Sequence, residues 1–167
     1  MALFPEHLLN LAAAILNEAR KKKLKLVSAE SCTGGLIMAC LTEVPGSSDV
    51  VDRGYISYSY DSKIKELGID RALLERTGAV SDDVALQMAT GALAASKADI
   101  AISATGIAGP GGATESKPVG LVYIGVANGK TGKSFAVKNL FGGDRSAVRL
   151  ETVETALTFI KREIDAI

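Results

Sequence analysis

The stretch SAESCTGG at residues 28–35 holds four hydroxyl or thiol groups, a glutamate and two glycines. An apolar run precedes it and a helical pattern follows it, so Ser31, Cys32 and Thr33 fall in a strand-to-helix turn. In open α/β sheets ligands collect at the carboxyl ends of strands. A helix N-terminus at that place offers unpaired N–H groups and a partial positive charge. One hydroxyl would suffice to cap such a helix, so four in six residues exceed what capping needs. The chemistry these residue types suggest is nucleophilic attack, by Ser31 or by Cys32, whose thiol a helix N-terminus would activate. Residue chemistry alone leaves the two near parity. Glu30 can orient a neighbour or serve the fold.

A serine needs a base, and the usual one is missing. The only histidine, His7, lies in the first helical pattern and reads as a surface or helix-end residue. A lysine can take the role if burial or a nearby cation lowers its pKa until the amine is neutral. Tyr58 and Lys63, in YISYSYDSK, are candidates: a strand ending near Ser59 and a helix beginning at Asp61 or Ser62 aim both at one mouth.

Two further stretches read as ligand-binding. SATGIAGPGGATESKPVG follows a buried strand and carries Gly106, Gly109, Gly111, Gly112 and Gly120, whose lack of a side chain admits close backbone approach. It lacks the spacing of a Walker A loop or of a GxGxxG turn. GGDRSAVR places Arg145 and Arg149 one helical turn apart behind Asp144, a natural cap. An arginine fork beside a helix start can clamp a phosphate or carboxylate.

The elements that must position these groups follow from periodicity. A helix starts at Pro5 and closes on the lysines at 21–23; strands are expected over 24–29, 54–59, 99–106, 119–127 and 133–141. Helices are expected from Gly34 to about Glu43, over 61–68, up to Gly78, from Ser81 to about Lys97, and from Asp144 onward. NGKTG marks a hairpin between the last two strands. Strands alternating with helices predict a three-layer α/β/α sandwich with a mixed, mainly parallel sheet of about five strands. No linker or repeat divides the 167 residues, so one domain over 1–167 is expected.

Composition narrows the function classes. Lys plus Arg and Asp plus Glu number 19 each, so nothing favours nucleic acid or an anionic membrane. No apolar run reaches a membrane-spanning length. Cys32 and Cys40 lack the spacing of a zinc site or a disulfide framework and fit a reducing compartment, and no secretory leader is seen. A cytoplasmic protein with no metal, no other cofactor and a small-molecule partner is expected, and a homo-oligomer stays open.

Taken together the motifs resemble the CinA-type C-terminal domain, the nicotinamide-nucleotide amidase family, over nearly the whole chain. AESCTGG, GYISYS with its lysine, GAVS, ATGIAGPGG with KPVGLVY, and GDR with a second arginine occur in that family's order. The resemblance implies hydrolysis of the carboxamide of nicotinamide mononucleotide to nicotinic acid mononucleotide and ammonia, in pyridine-nucleotide recycling, without a metal. It places Ser31 as nucleophile ahead of Cys32, with Tyr58, Lys63 and Thr105 in the active site. Arg145 falls on the phosphate side, and Cys32, Thr33, Gly34, Gly106, Gly109 and Gly111 line the substrate. Tyr60, Ser62 and Ala113 stand where the family commonly has asparagine, alanine and glycine. The alternatives are a nucleotide-binding module without catalysis and an amidohydrolase for another amide.

Overall fold

The computed structural model describes residues 3–167. Five strands form one sheet in the order β2-β1-β3-β4-β5. These are β1 (Leu26–Glu30), β2 (Val51–Ile56), β3 (Ile100–Gly106), β4 (Leu121–Asn128) and β5 (Lys133–Leu140). β1 pairs in parallel with β2 and with β3, whereas β3–β4 and β4–β5 are antiparallel. Only β4 therefore opposes the common direction, which is the mainly parallel mixed sheet that the alternating pattern implies.

Six α-helices cover the sheet: α1 (Glu6–Lys21), α2 (Leu36–Thr42), α3 (Tyr60–Leu67), α4 (Arg71–Thr77), α5 (Asp82–Ala94) and α6 (Arg145–Asp165). Strand residues alternate between two cores because successive side chains leave opposite faces. Leu26, Ile100, Ile102, Val122 and Ile124 join α1, α2 and α6 in one core. Val27, Ala29 and Ala101 join α3, α4 and α5 in the other.

β2 departs from expectation. The alternation in GYISYS predicts a strand over 54–59, but pairing starts at Val51 opposite Leu26 and ends at Ile56 opposite Glu30. Ser59 instead caps α3, its hydroxyl accepting from the Ser62 N–H at 3.1 Å. Capping satisfies a helix donor that a longer strand would leave orphaned. Tyr58 thus sits in a short connection between strand and helix. α2 likewise starts at Leu36, two residues later than expected, and α5 ends at Ala94 rather than near Lys97.

The carboxyl ends of β1, β2, β3 and β5 and the start of β4 share one edge of the sheet, which follows from the pairing directions. The chain leaves β1 toward β2 on one side, and β3 lies on the other. The end of β1 is therefore a switch point of the kind where α/β sheets open a crevice.

α3 reaches this edge by resting on α5. A Cβ built on Gly91 of α5 would lie 2.0 Å from the Leu67 carbonyl oxygen of α3. Alanine in a helix interior normally gains about 1 kcal/mol over glycine. Here the clash is with backbone, so the sign reverses. Gly91→Ala is expected to destabilise by about 2 kcal/mol or more, measured as a lower urea midpoint at unchanged m-value.

Candidate active site

Glu30 ends β1 facing α2, and Ser31 is the next residue. The Glu30 carboxylate is fully buried and accepts from the Ser28 hydroxyl at 2.8 Å and from the N–H groups of Gly35, Ile37 and Met38 at 3.0 to 3.1 Å. It caps α2 and touches neither Lys63 nor the crevice. This corrects the expectation that the α2 N-terminus offers open donors to a ligand. The Leu36 N–H goes to the Thr33 carbonyl and that of Gly34 to the Ser31 carbonyl. Among the described residues, the N–H groups of Cys32 and Thr33 are left without a backbone acceptor.

Ser31 is pinned to the sheet by its own N–H, which donates to the Ala104 carbonyl of β3 at 2.9 Å. Its hydroxyl meets Lys63, whose Nζ lies 3.1 Å from Ser31 Oγ, 2.6 Å from the Ser57 carbonyl and 3.2 Å from the Tyr58 carbonyl. Lys63 projects from α3 and is 0% exposed. No carboxylate is among its partners. Burial therefore dominates and pulls its pKa from 10.5 to about 8, with the nearby Cys32 thiol opposing weakly. At pH 7 about one amine in ten is then neutral, against about one in three thousand at the ordinary value.

The neutral amine has two N–H bonds and one lone pair. The two carbonyls can only accept, so they take the two hydrogens and leave the lone pair toward Ser31 Oγ. The geometry thus supports a direct transfer from Ser31 to Lys63. The Tyr58 hydroxyl accepts from Arg145 Nη2 at 3.3 Å.

Cys32 has the opposite fate. It is 5% exposed, and burial first of all, with the Glu30 charge behind it, raises its thiol to about 11. A thiol so raised is a poor thiolate source at neutral pH. His7 donates no help, lying on the surface 3.3 Å from Glu154.

The other expected residues converge on the same edge with different duties. The Thr105 hydroxyl donates to the Ala79 carbonyl at 2.8 Å, so its proton holds the α4–α5 connection. Thr33 is fully buried, and its Oγ1 has no partner. Gly34 and Gly35 turn the chain at φ 59° and 98°, where side chains are strained. Gly106 ends β3 against β4: a Cβ there would lie 2.7 Å from the Leu121 carbonyl oxygen, so its bareness serves strand pairing. The Gly109 carbonyl accepts from Arg145 Nη1 at 2.9 Å, and Gly111 faces open space. Arg145 thereby ties Tyr58 to the glycine loop. A cavity of about 460 Å³ opens beside it, walled by Ala108, Pro110 and Val119 and by the α6 start.

Ser57 and Lys117 escaped the sequence reading as site residues, and Arg149, read there beside Arg145 as an anion clamp, holds backbone carbonyls instead. Arg149 donates from Nε to the Cys32 carbonyl at 3.1 Å and from Nη2 to the Thr33 carbonyl at 3.0 Å. Its spacing from Arg145 was the available signal. Ser57 acts through its carbonyl, which no side-chain motif reports. Lys117 anchors the glycine loop by donating to the Thr77 carbonyl at the end of α4.

This arrangement can be compared with known proteins. The model of the CinA C-terminal domain matches residues 8–164. The chain belongs to that family. A competence-damage inducible protein of Caldicellulosiruptor saccharolyticus is 52% identical over 154 residues, covering 92% of this chain and 37% of that protein. The chain thus spans little more than a third of such longer relatives. The nicotinamide-nucleotide amidohydrolase PncC of Enterobacter agglomerans is 48% identical over 135 residues, which are 81% of this chain and 82% of that one. The crystal structure of the competence/damage inducible protein CihA from Agrobacterium tumefaciens superposes with a TM-score of 0.95 at 44% identity, covering 98% and 99% of the two chains. Among the described residues no helix is long and apolar enough to cross a membrane.

The amine must be neutral to accept a proton, so kcat/KM for any substrate attacked by Ser31 is expected to rise with pH through a midpoint of about 8 and then level. Lys63→Met should abolish the rise and lower kcat by roughly 1,000-fold or more. Cys32→Ala should leave the midpoint in place.

Proposed function

We propose that this domain hydrolyses the carboxamide of nicotinamide mononucleotide, giving nicotinic acid mononucleotide and ammonia, with Ser31 as nucleophile and Lys63 as base. The observation that carries the reading is the buried Lys63 amine, 3.1 Å from Ser31 Oγ and without a carboxylate partner. Kinship with an amidohydrolase that the chain matches along four-fifths of its length supports the choice of amide.

In the first half-reaction Ser31 Oγ bonds to the amide carbon as its proton passes to Lys63. The carbonyl oxygen becomes an oxyanion and takes the Cys32 and Thr33 N–H groups as donors. One such donor is worth on the order of 3 kcal/mol in the barrier. The Lys63 ammonium returns the proton to the amide nitrogen, the C–N bond breaks, and ammonia leaves an ester on Ser31. In the second half-reaction Lys63 takes a proton from water, the resulting hydroxide attacks the ester, and the acid departs as Ser31 regains its proton. No step calls for a metal or a cofactor.

Arg145 and the cavity beside it hold the rest of the nucleotide. Charge-assisted bonds from the guanidinium suit the phosphate, and the apolar wall of Ala108, Pro110 and Val119 suits the flat faces of the ligand. Thr105 and Tyr58 act as positioning groups in this scheme, through Ala79 and Arg145. Two unpaired thiols, Cys32 and Cys40, fit a cytoplasmic setting.

Incubation with nicotinamide mononucleotide should release ammonia, and Ser31→Ala should abolish the release while leaving nucleotide binding by calorimetry intact. Binding without turnover by the wild-type protein would point to a nucleotide-binding module instead. Arg145→Ala should raise KM for the nucleotide by about 10-fold or more, with little effect on the riboside that lacks the phosphate.

A further inference from the structure

Arg149 makes two bonds to the nucleophile turn and none to the space a substrate would occupy. A peptide group is planar, and its C=O and N–H point in opposite directions. Holding the Cys32 carbonyl therefore aims the Thr33 N–H the other way. Holding the Thr33 carbonyl fixes the Gly34 N–H, which donates to the Ser31 carbonyl at 3.0 Å. The Ser31 carbonyl shares its peptide group with the Cys32 N–H, so that donor is aimed as well. Both N–H groups left without backbone acceptors thus trace to one guanidinium.

Apart from the Leu36 N–H, which also donates to the Thr33 carbonyl at 3.2 Å, little else holds these planes. The Thr33 hydroxyl is buried without a partner, and Gly34 and Gly35 give the turn its freest backbone. The two guanidinium bonds also draw charge from the carbonyls, which strengthens the N–H groups of the same peptides as donors. We propose that Arg149 is a positioning residue that sets the direction of the oxyanion-binding N–H groups of Cys32 and Thr33. It rests on the reading of Ser31 as nucleophile, but not on any particular amide.

A fluorophosphonate tests this without a natural substrate. Ser31 Oγ bonds to phosphorus, fluoride leaves, Lys63 takes the proton, and the phosphoryl oxygen gains negative charge where the oxyanion would sit. Labelling of Ser31 in Arg149→Ala should be roughly 10- to 100-fold slower than in the wild type. The pH midpoint of labelling should stay where Lys63 sets it. Arg149→Lys, with charge but no fork, should fall in between.

Labelling of Arg149→Ala at the wild-type rate overturns the proposal, and so does a loss explained by a shifted pH midpoint. If circular dichroism shows that the alanine variant does not fold, a lysine variant labelling as fast as the wild type overturns it equally. Labelled wild-type Ser31 together with no ammonia from nicotinamide mononucleotide removes the proposed substrate and leaves this inference standing. A wild-type Ser31 that does not label overturns both.

Discussion

A primary amine buried with no counter-ion is the constraint around which this molecule is arranged. An ammonium at a fully buried position costs several kcal/mol unless it is paired. The fold supplies two carbonyls and a hydroxyl but no carboxylate, so the neutral amine gains relative to the charged one. The two carbonyls come from consecutive residues, Ser57 and Tyr58, and exist in that place because β2 stops at Ile56 and Ser59 starts α3. Those acceptors are main chain and cannot be protonated or mutated away. What varies the site is where α3 lies, and that depends on the bare backbone of Gly91 beneath it.

The placement of Glu30 completes the same logic. It lies one residue before Ser31, and a carboxylate against Lys63 would restore the ammonium. Strand alternation turns Glu30 to the α2 face, where four donors occupy it, while Ser31 meets α3 on the other side. The negative charge satisfies the α2 N-terminus instead of Lys63. The helix end then has few N–H groups to offer, and the amides of Cys32 and Thr33 before it are the ones left without a backbone acceptor.

The arginines divide the remaining work by one turn of α6. Arg145 joins the glycine loop to Tyr58, and Arg149 joins the turn that follows Ser31. Both are anchored because Asp144 caps α6 by accepting from the Ala147 N–H at 2.9 Å, so the helix starts at a fixed place after β5. The C-terminal helix thus holds in place a turn that lies in the first half of the chain.

Periodicity, caps and glycines in the sequence were enough to determine the layers, the mixed sheet and all six helices to within a few residues, because those signals act over one turn or one hairpin. The family motifs brought Ser31, Tyr58, Lys63, Thr105 and Arg145 to attention together. β2 was misplaced by three residues, since the pairing of Val51 with Leu26 is invisible in an alternation that continues past Ile56. Ser31 and Cys32 stayed at parity in residue chemistry because they share one turn. The resemblance favoured Ser31, and the tertiary structure gave the physical reason: it buried the thiol and raised it to about 11, and it brought an amine 32 residues away to the hydroxyl. Burial and long-range contact set both pKa values, and neither is written in local sequence.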